Sequence, residues 1–166
     1  MNQISSNLRA AQPAIRPPDG PHAEFLALPF SLLSQSAAVR RIIAGCGAPY
    51  GYVVTPNAYH VATVHDQPAR LLPIYRAAWL LLCDSRILRA LAWLEGHSLP
   101  LVTGSDLVAA LFRALSGSGA GTDPRRLLIV GPSPSAATAL RAAYPGLEFD
   151  VLATPPGLAS DAATAT

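Results

Sequence analysis

The chain has 166 residues, of which 51% are hydrophobic and 13% charged, enough to bury a core and too apolar for wholesale disorder. Its formal net charge is +2, and all 12 cations are arginines; they are scattered, which argues against a nucleic-acid face, and the lack of lysine excludes the usual phosphate-binding P-loop and any Schiff-base mechanism. Cys46 and Cys83 have no C-x-x-C spacing, no apolar run is long enough to span a bilayer, and the N-terminus has no apolar signal core, so the expected home is the cytoplasm with at most peripheral membrane contact.

In chain order, residues 1–21 are polar and then proline-rich (Pro13, Pro17, Pro18, Pro21), and read as a flexible leader ahead of a domain over 22–166. Ser34 to Ala44 repeats apolar residues at helical spacing, with Gly45 and Gly47 as left-handed stops. Tyr52-Val53-Val54 is β-prone and runs into Thr55-Pro56-Asn57, where Asn57 can cap a helix through Val64. A further helix begins at Asp66 and Pro68, and Pro73 should kink or divide it.

Trp79 to Cys83 is continuously apolar, as a strand buried on both faces requires, and it stops at Asp84. A helix over Ile87–Glu95 ends at Gly96. Leu101-Val102 leads through Thr103-Gly104-Ser105-Asp106 into another helix, followed by a Gly/Ser linker over 116–122. Leu127 to Gly131 is the clearest strand; Pro132 to Ser135 opens an alanine-rich helix broken at Pro145-Gly146, and a last strand lies near Phe149 to Leu152.

Strand, turn and helix in repeated order predict an α/β fold: a Rossmann-like parallel sheet with helices on both faces. Thr55, Asn57, Asp84, Thr103, Ser105 and Ser133 follow strands, where such folds place their ligand crevice. Asp84 stands out, since a carboxylate ending an apolar strand meets a partly desolvated crevice suited to general-base work; a helix N-cap is its plain alternative. Helix-start amides near Gly104 suit a phosphate or sugar oxygen, while Ser105 or Asp106 can cap. Gly131 to Ser135 lacks the last glycine of a nucleophile elbow. No G-x-G-x-x-G follows a strand, and His60, His65 and His97 have no metal-ligand spacing.

Three segments in order, Val53-Val54-Thr55-Pro56-Asn57-Ala58 with His60, the strand ending at Asp84, and Val102-Thr103-Gly104-Ser105-Asp106-Leu107, resemble the WecG/TagA/CpsF glycosyltransferases. Leu128 to Gly131, with Arg141 and Tyr144-Pro145-Gly146-Leu147, is similar to the family's next strand, helix and turn. The resemblance implies an inverting, metal-independent transferase with no cofactor. It would move an N-acetylhexosamine-type sugar from a UDP-sugar to a polyprenyl-diphosphate-linked acceptor at the inner membrane face, in cell-surface polysaccharide synthesis. It implies Asp84 as base, Thr55, Asn57 and His60 near sugar, and Thr103, Gly104, Ser105, Asp106, Gly131 and Ser133 around substrate. The chain departs from the family at Ser85, where glycine is common, and at Leu101, where an arginine is common. It also stops before a further strand and an arginine-rich region, which suggests an incomplete domain, a homo-oligomer, and a non-catalytic nucleotide-sugar-binding module as the alternative reading.

Overall fold

The computed structural model describes residues 20–46, 50–117 and 127–153. The proline-rich leader up to residue 19, Gly47, most of the Gly/Ser linker and the tail from residue 154 lie outside them. The chain divides into two compact units, Met1–Ala110 and Leu111–Thr166. The fold class is α/β, as the sequence predicts.

The first unit opens with a feature that the sequence did not announce. Strands β1 (His22–Phe25) and β2 (Leu28–Ser31) form an antiparallel hairpin, and its two-residue turn places Leu26 and Ala27 at φ 51° and 60°. Such a turn ordinarily uses Asn-Gly, because positive φ crowds a Cβ. Here Leu26 packs on the core alongside buried Phe25, Leu28 and Phe30, which offsets the strain at that residue, while Ala27 is exposed.

Helix α1 (Gln35–Ala44) is capped by the Ser34 hydroxyl, which accepts from Ala37 N–H. Gly45, expected to turn left-handed, closes it instead at φ −90°. Strand β3 (Val53–Val54) is followed by α2 (Ala58–Asp66) and α3 (Pro68–Arg76). Pro73 lies inside α3 without dividing it. The carbonyl it cannot bond belongs to exposed Ala69, where water can take the place of the missing donor.

Strand β4 (Leu80–Leu81) pairs in parallel with β3. Every residue from Ala78 to Cys83 is buried, which accounts for the unbroken apolar run. Buried Ser31 accepts from Leu81 N–H at 3.2 Å, tying the hairpin to β4 through a side chain. The core gathers Phe25, Leu28, Phe30, Val61, Val64, Leu81, Cys83, Leu88, Ala92 and Leu99. Helix α4 (Arg86–Leu94) then leads to Leu101, which bridges in parallel to Cys83, and α5 (Gly104–Ser116) follows.

In the second unit, β5 (Leu128–Val130) and β6 (Asp150–Leu152) pair in parallel around α6 (Pro134–Ala143). Phe112 meets Tyr144 edge-on with ring centroids 5.3 Å apart. The Arg141 guanidinium lies 4.6 Å from the Phe149 ring centre, a cation–π contact. Gly146 is required there, because a Cβ would stand 2.9 Å from the Ser116 carbonyl oxygen. The parallel pairing predicted from strand–helix alternation is therefore present within each unit. No helix among the described residues is long and apolar enough to cross a membrane.

Candidate active site at the strand ends of the first unit

Backbone hydrogen bonds fix the order of three neighbouring segments. Leu82 N–H donates to Val54 at 2.9 Å and Asp84 N–H to Pro56 at 3.1 Å on one side of β4. On the other side the Cys83 carbonyl accepts from Val102 N–H at 2.9 Å. Since the three segments run parallel, their carboxyl ends deliver Thr55, Asp84 and the Thr103-Gly104 turn to one place.

Side chains confirm the convergence. The Asp84 Oδ2 oxygen accepts from Gly104 N–H at 3.0 Å, a carboxylate at the positive end of α5. A Cβ on Gly104 would lie 2.8 Å from Thr55 Oγ1 and 3.6 Å from Asp84 Oδ2, so glycine is what lets the three residues close together. Asp84 is half-buried, and its Oδ1 has no hydrogen-bond partner among the described residues. The N-cap alternative for Asp84 does not hold: Ser85 caps α4, its Oγ accepting from Leu88 N–H at 3.2 Å. Ser85 is extended at φ −158°, so no glycine is needed at the position where the family commonly has one.

The other residues singled out from the sequence are engaged in capping. Asn57 Oδ1 accepts from His60 N–H at 3.1 Å, and His60 Nδ1 accepts from Asn57 N–H at 3.2 Å, a reciprocal capping box at the start of α2. That bond leaves the imidazole proton on Nε2. Thr103, rather than Ser105 or Asp106, caps α5: its hydroxyl accepts from Asp106 N–H at 3.2 Å and donates to Asp106 Oδ2 at 2.7 Å. The Asp106 carbonyl accepts from Gln35 Nε2 at 3.0 Å. Of the first three α5 amides, Gly104 is held by Asp84, Asp106 by Thr103, and Ser105 alone is open among the described residues.

Gly131 and Ser133 belong to the second unit. Gly131 takes φ 80° and donates its N–H to Leu152 at 2.8 Å. Ser133 caps α6, accepting from Ala136 N–H at 3.1 Å. Both groups are thus occupied, Gly131 by β6 and Ser133 by its own helix.

Next to the site, Cys83 Sγ contacts the Ser85 carbonyl at 3.4 Å. Burial pushes this thiol up from its ordinary range; backbone hydrogen bonding at Ser85 and the presence of Arg89 oppose the shift, and Asp84 adds to it. Tyr52, whose hydroxyl donates to the Ile74 carbonyl, is likewise raised, by burial first and by Tyr50 second. Among the described residues no group of three or more His, Cys, Asp or Glu side chains is placed to hold a metal ion.

The family model described as Glycosyl transferase WecG/TagA/CpsF family matches residues 23–165. The chain belongs to this family. It is accordingly a glycosyltransferase-family protein of cell-surface polysaccharide synthesis, a class whose partners are in general a nucleotide-sugar donor and an acceptor. No curated protein matches the chain. The family match takes in the hairpin from Ala23 onward as well as the Thr55, Asp84 and Gly104 segments that carry the sequence resemblance.

Proposed function

We propose that the chain transfers an N-acetylhexosamine-type sugar from a UDP-sugar to a polyprenyl-diphosphate-linked acceptor, with inversion and without a metal ion or cofactor. The observation that carries this reading is the Asp84 carboxylate. One oxygen is held by Gly104 N–H and the other is left open, at a point where three strand ends meet. Asp84 Oδ1 takes the proton of the acceptor hydroxyl as that oxygen attacks the anomeric carbon. The bond from that carbon to the nucleoside diphosphate breaks, and the electron pair leaves with the diphosphate. Thr55 Oγ1, beside Asp84, orients the sugar by hydrogen bonding, and the open Ser105 amide at the α5 N-terminus suits a diphosphate oxygen. Asn57 and His60 contribute by fixing the backbone that carries Thr55, with His60 Nε2–H free to donate.

Asp84→Asn tests the proposal, because the amide still accepts from Gly104 but cannot take a proton at neutral pH. Turnover should be lost while thermal unfolding stays at the parent value; near-parent turnover removes Asp84 from the mechanism. A second reading, a nucleotide-sugar-binding module without turnover, is favoured by Leu101, an apolar residue where an arginine would help neutralise the diphosphate. Donor binding by the parent chain with no transfer to any lipid-linked acceptor would select it. The 22–166 span as one transferase domain, association into homo-oligomers and a cytoplasmic place at the inner membrane face are parts of the same proposal.

A further inference from the structure

Helix α4 carries a surface that catalysis at Asp84 does not use. Only Leu88 and Ala92 of this helix are buried. At 100° per residue, Arg89, Trp93, Arg86, Ala90, Leu94, Ile87 and Leu91 fill one continuous arc opposite them. Ile87 is 65% exposed, Leu91 45%, Trp93 72% and Leu94 72%, far more large apolar surface than one short helix ordinarily shows to water.

The cations on that arc are placed against local stability. Arg86 and Arg89 lie in the first turn, which contains no acid, at the helix end whose dipole disfavours positive charge. Among the described residues neither has a carboxylate within ion-pair distance. They line an open groove of about 670 Å³ together with Ala90, Trp93, His97, Ser98, Leu99 and Leu101, and no acidic residue among those described borders it. His97 is braced against Phe25, ring centres 6.2 Å apart.

We infer that the outer face of α4 docks on a bilayer surface bearing anionic lipid headgroups. Ile87, Leu91 and Leu94 would enter the headgroup–acyl boundary with the Trp93 indole at its level. Arg86 and Arg89 would meet lipid phosphates, one of them seated in the groove. Charge complementarity decides for this occupant. Arg86 and Arg89 beside a groove that no described acidic residue lines, interleaved with exposed tryptophan and leucine on one helix face, match the chemistry of an anionic membrane surface. The inference deepens the proposed function, since it would bring Asp84, two residues before α4, to the surface where a lipid-linked acceptor resides.

The test is sedimentation of the full chain with phosphatidylcholine vesicles, with and without phosphatidylglycerol. Uptake should require phosphatidylglycerol, weaken with salt, and blue-shift the tryptophan emission, a shift assigned to Trp93 because Trp79 is buried. Trp93→Phe should abolish the shift while sedimentation persists. Arg86→Gln with Arg89→Gln should lower partitioning about tenfold or more with thermal unfolding unchanged. Asp84→Asn should sediment like the parent, so the transfer reading can fail without touching this one. Equal uptake by neutral vesicles, full uptake by the double glutamine variant, or no uptake at all overturns the inference. So does binding of inorganic phosphate without vesicle binding. Concentration-dependent self-association abolished by Leu91→Asp, again without vesicle uptake, would instead assign the face to a second copy of the chain.

Discussion

Two strand-to-helix turns of this protein share a design and differ in outcome. After β4 the chain passes Asp84 to Ser85, which caps α4; after β5 it passes Gly131 to Ser133, which caps α6. In the second turn the Gly131 amide is bonded to β6 and the Ser133 hydroxyl to its own helix. In the first, serine does the capping, so the aspartate before it is released to face a neighbouring segment. The strands differ too: β4 is fully buried, whereas Leu128 and Val130 of β5 are 55% and 57% exposed. The proposed site lies at the turn where local caps are satisfied by one residue and a second polar group is left over beside a buried strand.

The largest expected effect separates the two turns by activity. Asp84→Asn should cut transfer about 10²- to 10⁴-fold, the usual range for a lost general base, while Ser133→Ala should leave turnover of the folded protein near the parent value. Comparable losses in both, by nucleotide-sugar turnover, would erase the distinction.

Packing gives the next contrast. Leu81→Ala in β4 should cost about 2–5 kcal/mol of unfolding free energy, and exposed Val130→Ala within about 0.5 kcal/mol. Denaturant melts of the two variants measure it, and equal midpoints would deny β4 its place in the core.

Gly104→Ala should cost about 1–3 kcal/mol, because the added methyl meets Thr55 Oγ1. Thr55→Ala in the same chain should recover part of it. A double-mutant cycle with no coupling would mean that Thr55 and Gly104 do not touch.

The caps should be nearly equivalent in stability: Ser85→Ala and Ser133→Ala about 1 kcal/mol each, and Ser85→Gly only a few tenths. A much larger loss for one would show that its serine does more than cap.

The smallest effect concerns pH. Burial raises the folded Cys83 thiol above its ordinary value of 9.0, so above about pH 9 the unfolded chain binds fewer protons than the folded one, and stability falls as pH rises. Cys83→Ala should flatten that decline in alkaline melts. Exposed Cys46 should alkylate rapidly in the native state and Cys83 only on unfolding.

The Thr55, Asp84 and Thr103-Gly104 segments were legible because strand ends in α/β folds carry polar residues at predictable places. The roles within those segments were less so. Whether Asn57 faces a sugar or caps a helix depends on the His60 ring closing back on it, and nothing in the spacing says which way that ring turns. The hairpin went unread for a similar reason: its turn uses Leu26 and Ala27, which carry no turn signal, and the packing of Leu26 on the core appears only in the folded chain.

Periodicity, turn residues and ordered motifs, then, were sufficient for the α/β class, the order of elements from α1 onward and the family, because these depend on local propensity and on spacing along the chain. Tertiary structure alone decided which serine frees Asp84, why Gly104 must be glycine, and that α4 shows water an apolar and cationic face. Those outcomes depend on which segments lie side by side, and distances across strands are not written in the spacing along one.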